Sequence, residues 1–198
     1  MIQVIKKPEI EVIIKKINIQ TLLRIIEEGF IAYSEKKVII PPVGHMGFSN
    51  PPGDVHIKYG YIQEDKYYVI KIASNFYNNP KLSLPSSNGL MLVFDQKTGQ
   101  LLSVLLDEGY LTDVRTALAG AVVAKYLAPS KVTNIGIVGT GTQAKLQLFY
   151  LKYVIACKNV LVWGRNINNL QKFQQNMKDS GFSITITENI EDITKHCN

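Results

Sequence analysis

Apolar and polar positions along this chain follow two different rhythms. The opening segment "IEVIIKKI", residues 10–17, is a β-branched run and predicts a strand. "NIQTLLRIIEEGFIAYSE" follows with apolar residues at helical spacing, and Asn18 stands where an N-cap belongs. "KVIIPPV", "DVHIKYGYI" and "KYYVIKIASNF" predict further strands, the second by clear alternation. In "GLMLVFDQKTGQLLSVLLD" the turn "QKTGQ" divides two apolar runs and predicts a hairpin. Residues 1 to about 110 are therefore expected to form a strand-rich α+β unit. "TDVRTALAGAVVAKYLAP" predicts a helix capped by Thr112, with Asp113 at its positive end and Pro129 just past its end. From Thr133 the rhythm becomes strand, helix, strand, helix, strand: "NIGIVG", "TQAKLQLFYLKYVIA", "NVLVWG", "NINNLQKFQQNMKDSG" and "FSITIT", with "NIEDITKHC" opening another helix. That order predicts an α/β fold. An N-terminal α+β domain spans 1–130, and the first half of a Rossmann-type, doubly wound nucleotide domain spans 131–198.

Composition narrows the function. The 198 residues are 46% hydrophobic and 19% charged, enough apolar content for a folded core. No apolar run reaches the roughly 20 residues that a membrane helix needs. The N-terminus has no signal-peptide core, and Cys157 and Cys197 are too few for a disulfide framework or a zinc site. These features predict a cytoplasmic protein without a membrane anchor or bound metal. The net charge of +6 comes from scattered lysines, with no basic stripe and no interleaved aromatics. Nucleic acid is therefore not expected as a partner, and the charge suits solvated lysines and a phosphorylated cofactor.

"IGIVGTGTQA" carries the clearest chemical signal. Gly139, Gly141 and Ala144 match G-x-G-x-x-A, which places a tight turn, a close backbone approach and a small helix–strand contact at the required spacing. A helix starting there offers unpaired N–H groups to a pyrophosphate. The second strand ends in "VWGRN", without the acid that binds an NAD ribose; Arg165 and Asn166 tilt the pattern toward NADP(H).

The helix "LTDVRTALAGAVVAKYLAP" followed by this loop resembles the ornithine cyclodeaminase and mu-crystallin family. "VIKIASNF", "LPSSNGLMLVFDQKTGQLLSVLLD" and "VWGRN" continue the likeness in order. The resemblance implies an NAD(P)-dependent enzyme that transfers hydride at an amino-bearing carbon of a small amino acid or cyclic imine, working as a homodimer, with 1–130 as its substrate-binding and dimerisation domain. It places Lys71 and Arg115 in the active site, with His56 also facing the substrate. It assigns Ser86, Gly139, Thr140, Gly141, Thr142, Gln143, Arg165 and Asn166 to the cofactor. A non-catalytic NAD(P)H-binding protein of the mu-crystallin type, or an inactive remnant, is the alternative.

Two departures stand out. The family often has P-x-R after the strand near Pro42, whereas this chain has "PPVGHMGF", with Gly44 at the arginine position. One half of a carboxylate clamp is missing, which argues against ornithine as the substrate. The sequence also stops at Asn198, before the second Rossmann half where the family carries its catalytic Asp. The expectation is the front part of such an enzyme, with the "NIGIVG" strand at a sheet edge.

Overall fold

The computed structural model describes residues 1–198. It comprises two compact units: Met1–Thr21 with Glu28–Thr112, and Leu22–Glu27 with Asp113–Asn198. Along the chain the main division falls after Thr112, earlier than the boundary expected at 130.

The first unit is built on one sheet. Its strands are β1 (Gln3–Lys6), β2 (Val38–Ile39), β3 (Gly44–Ser49), β4 (Pro52–Ile62), β5 (Tyr67–Phe76), β6 (Ser87–Asp95) and β7 (Leu101–Leu106). The order is β1-β7-β6-β5-β4-β2, with β3 also paired to β4. Only β1 and β7 run parallel; every other pair is antiparallel. The hairpin turn at "QKTGQ" is confirmed, because Asp95 accepts the Lys97 and Thr98 N–H groups and Gly99 has φ +70°. Of all the strand residues in this sheet only Gly53 is fully buried.

Three expectations are corrected here. Residues 10–17 are not a strand: they lie in and just past the helix α1 (Lys7–Lys16). End chemistry outweighs the β-branched run. Pro8 sits in the first turn, the Glu9 carboxylate accepts the Lys6 N–H at 2.9 Å, and Lys15 and Lys16 occupy the last turn. The strand expected over "KVIIPPV" shrinks to Val38–Ile39, because Pro41 and Pro42 cannot donate to a ladder. Thr112 does not cap its helix. That helix, α3 (Tyr110–Leu127), starts two residues earlier, where the buried Asp107 carboxylate accepts the Leu111 N–H at 2.9 Å. The helix α2 (Ile19–Ser34) is capped as expected, with Asn18 Oδ1 accepting the Gln20 N–H at 2.8 Å.

The second unit has a parallel three-stranded sheet: β8 (Ile135–Val138), β9 (Asn159–Trp163) and β10 (Ser183–Thr187), in the order β10-β9-β8. The helices α4 (Thr142–Leu151) and α5 (Ile167–Asn176) make the crossovers, and α6 (Glu191–His196) follows. This is the first half of a dinucleotide fold. Ile135, Leu148, Val160, Val162, Leu170 and Phe173 form the centre of its core. No helix of the chain is long and apolar enough to cross a membrane.

Candidate functional site

In the second unit the strand β8 ends at Val138 and the chain turns at Gly139, whose φ of +104° is a region that side chains rarely occupy. The Gly139 N–H donates to the Trp163 carbonyl at 2.7 Å, which ties the turn to β9. Thr140 packs close to Gly164, the first residue of the "GRN" segment, so that a Cβ on Gly164 would lie 3.3 Å from the Thr140 methyl. Gly141 is the N-cap of α4 and provides no side-chain acceptor, so the first N–H groups of the helix are left to an outside partner. A Cβ built on Gly139 or on Gly141 would meet nothing within 4 Å. The loop therefore faces open space. Thr142, the first helical residue, is exposed there.

Gln143 points the other way. Its Nε2 donates to the Asp113 carbonyl at 3.2 Å and to the Asp113 carboxylate at 2.9 Å, and its Oε1 is buried without a donor. At the end of β9, Arg165 is exposed and forms no ion pair. Asn166 is already engaged: its Oδ1 accepts the Asn169 N–H at 3.1 Å and caps α5.

In the first unit, residues directly opposed across an antiparallel pair share a face. Lys58 opposes Lys71, His56 opposes both Ala73 and His45, and Asp54 opposes Asn75. All of these lie on one face of the sheet. The other face carries Val55, Ile57, Ile70, Ile72, Leu90, Leu92 and Val104. Lys71 is half-buried, and its ammonium donates to the Thr112 hydroxyl at 3.3 Å. The chain alternates in β5, so the sequence alone allowed Lys71 to face solvent; the register puts it beside the other polar groups.

His56 is not an isolated histidine. Its Nε2 stands 3.3 Å from Asp54 Oδ1, and its ring centroid is 5.0 Å from that of His45. Asp54 also accepts the Tyr77 hydroxyl at 2.5 Å and the Asn75 amide at 3.1 Å. The Tyr77 bond, and after it the Asn75 bond, hold the Asp54 carboxyl below its ordinary range, and the same bond raises the Tyr77 hydroxyl. Sequence reasoning missed Asp54, Asn75 and Tyr77, because they meet only through the β4–β5 register. Ser86 lies just before β6, exposed, with its carbonyl accepting the Phe76 N–H at 2.7 Å. Arg115 is exposed on α3. Because α3 begins at Tyr110, Arg115 lies beyond the first turn and not beside its unpaired N–H groups.

The family model described as "Ornithine cyclodeaminase/mu-crystallin family" matches residues 5–198. A putative dehydrogenase of Rhizobium meliloti is 40% identical over 141 residues, covering 71% of this chain and 43% of that protein. The structure of Δ1-pyrroline-2-carboxylate reductase from Thermococcus litoralis, in complex with NADH and L-proline, superposes with a TM-score of 0.89 at 27% identity, over 99% of this chain and 60% of that one. An archaeal alanine dehydrogenase dimer with bound NAD superposes with a TM-score of 0.84 at 28% identity, over 94% of this chain and 56% of that one. The chain spans about half the length of the curated relatives it matches.

Proposed function

The chain belongs to the ornithine cyclodeaminase/mu-crystallin family, and from that premise we propose that it serves an NAD(P)-dependent reaction at the amino- or imino-bearing carbon of a small α-amino or cyclic imino acid. The observation that carries this reading is the Gly139–Thr142 turn. It leaves the N–H groups at the start of α4 without a side-chain cap and faces open space. A dinucleotide fits these groups: its pyrophosphate carries the charge that a helix N-terminus favours. When bound, the nicotinamide accepts or donates the hydride.

The chain's own residues supply binding and proton handling. Gly139, Thr140, Gly141 and Thr142 receive the pyrophosphate, and Gln143 fixes the start of α4 through Asp113. Arg165 is offered to a ribose phosphate, a preference for NADP(H) that rests on its charge and its lack of an ion-pair partner. In the first unit Lys71, held by Thr112, orients the substrate carboxylate and moves the amine proton. His56, held by Asp54, borders the same face. Arg115 offers a guanidinium for a carboxylate, and Ser86 a hydroxyl for the nicotinamide side.

The test is a fluorescence titration of the 198-residue chain with NADH and NADPH. Saturable binding is expected, with loss in G141V, where a branched side chain fills the approach. R165A is expected to lower the NADPH-to-NADH preference while sparing NADH. A folded chain that binds neither nucleotide overturns the reading. Gly44 favours a second reading, a pyridine-nucleotide binder without turnover, which affinity without product would identify.

A further inference from the structure

Gln143 is the second residue of α4, beside the open turn, yet its side chain leaves the turn and grips another helix. Its Nε2 donates to the Asp113 carboxylate at 2.9 Å and to the Asp113 carbonyl at 3.2 Å. Gln147 lies one turn further along the same face of α4. It meets α3 at Gly120, where a Cβ would stand 2.9 Å from the Gln147 Oε1. Asp113 and Gly120 lie about two turns apart on one face of α3. The two helices thus share a seam, and the Asp113–Gln143 clasp is its polar end, next to the turn.

Both ends of this clasp serve groups that are otherwise lightly held. In the turn, Gly139 and Gly141 carry no side chain, Gly141 offers no cap and Thr142 is exposed. Two bonds tie the turn down: the Gly139 N–H on the Trp163 carbonyl at 2.7 Å, and the clasp itself. On α3, Arg115 follows Asp113 by two residues and is exposed, with no ion pair or hydrogen bond of its own. An unpartnered guanidinium is placed by its helix alone. Whatever steadies α3 at Asp113 therefore steadies Arg115.

We propose that Gln143 is a positioning residue that relays nucleotide binding at the Gly139–Thr142 turn to Arg115. A pyrophosphate that takes the first N–H groups of α4 orders the turn, and Gln143 with it. The clasp passes that order to Asp113, so that less motion remains to be frozen when Arg115 meets a carboxylate. Nucleotide and small acid then favour each other's binding, and linkage makes the effect equal in both directions. This relay rests on the reading of the turn as a dinucleotide site.

The test combines an NADH titration of the full chain with amide hydrogen exchange read by mass spectrometry. In the wild type, saturating NADH is expected to slow exchange in the turn, and over residues 113–117 by about fivefold or more. Q143M keeps the length and packing of the side chain and removes its donor. It is expected to weaken NADH about tenfold, with a thermal midpoint close to that of the wild type. At saturating NADH its turn is still expected to be slowed, while the slowing over residues 113–117 disappears. D113N keeps the acceptor and is expected to retain the relay, with NADH affinity within about threefold of wild type. D113A leaves the carbonyl acceptor and is expected to lose part of the affinity. Added to Q143M it is expected to cost nothing more, because both changes remove one bond. Slowing over residues 113–117 that persists in Q143M, NADH affinity unchanged in Q143M, or additive losses in the double variant each overturns the relay. NADH that protects the turn of the wild type but not residues 113–117 removes this proposal and leaves the redox reading. A wild type whose turn NADH and NADPH both leave unprotected removes the redox reading, and the relay with it.

Discussion

Asp54 shows how single residues set the character of the first unit. One carboxylate takes the Tyr77 hydroxyl, the Asn75 amide and the His56 imidazole. Its folded-state pKa is depressed below the ordinary 3.8, chiefly by Tyr77. A depressed carboxyl contributes stability above its unfolded pKa, and that contribution is lost as pH falls through the folded value. Tyr77 is raised above its ordinary 10.0 by the same bond. Its contribution is present below that value and is lost as pH rises through the folded one. The bond therefore acts across the range between the two groups. The stability lost in Y77F is expected to be largest at neutral pH and to shrink below pH 4 and above pH 10. Thermal midpoints of wild type and Y77F at pH 3, 7 and 11 read this directly, and a pH-independent gap would show that packing, not the bond, holds Tyr77.

At the scale of elements, α5 separates a structural role from a binding one. Asn166 falls at the end of the second Rossmann strand, where sequence alone suggests a cofactor contact, yet its side chain caps the helix. N166A is expected to cost about 1 kcal/mol in a urea titration. It is also expected to leave NADH affinity within about twofold, since a capping side chain is already committed. A large affinity loss without a stability loss would reverse the assignment. The same comparison shows what the chain discloses about itself. The glycine loop was legible because turn, close approach and helix start are backbone demands that particular residue types meet. β3 was not, because "GHMGFS" neither alternates nor contains a β-branched residue, and it exists only by pairing with β4. α1 was misread because Pro8, Glu9, Lys15 and Lys16 decide its ends while Val12, Ile13 and Ile14 suggest a strand. The Asp54 cluster and the Lys58–Lys71 pair depend on register, and register is settled by long-range pairing that local pattern does not specify.

For the molecule as a whole, the distribution of apolar surface poses the main physical problem. The second unit encloses a core around Leu148, Val162, Leu170 and Phe173, each at 1% exposure or less. The first unit has no comparable centre: Ile10 is its sole fully buried hydrophobic residue, and its sheet presents Val55, Ile57, Ile70, Ile72, Leu90 and Leu92 on one face at intermediate burial. Met46, Phe48, Tyr59 and Tyr61 on that face are 38–50% exposed. A continuous apolar face of this kind marks an association surface. A second copy of the chain is the occupant we infer, since the face is apolar and runs across β4, β5 and β6. Sedimentation velocity is expected to give a dimer. I57E, which puts a carboxylate in the middle of that face, is expected to give a monomer that still binds NADH, because the dinucleotide loop belongs to the other unit. A wild-type chain that stays monomeric at high micromolar concentration, or an I57E variant that remains dimeric, would place the association elsewhere and leave the sheet face to a different partner.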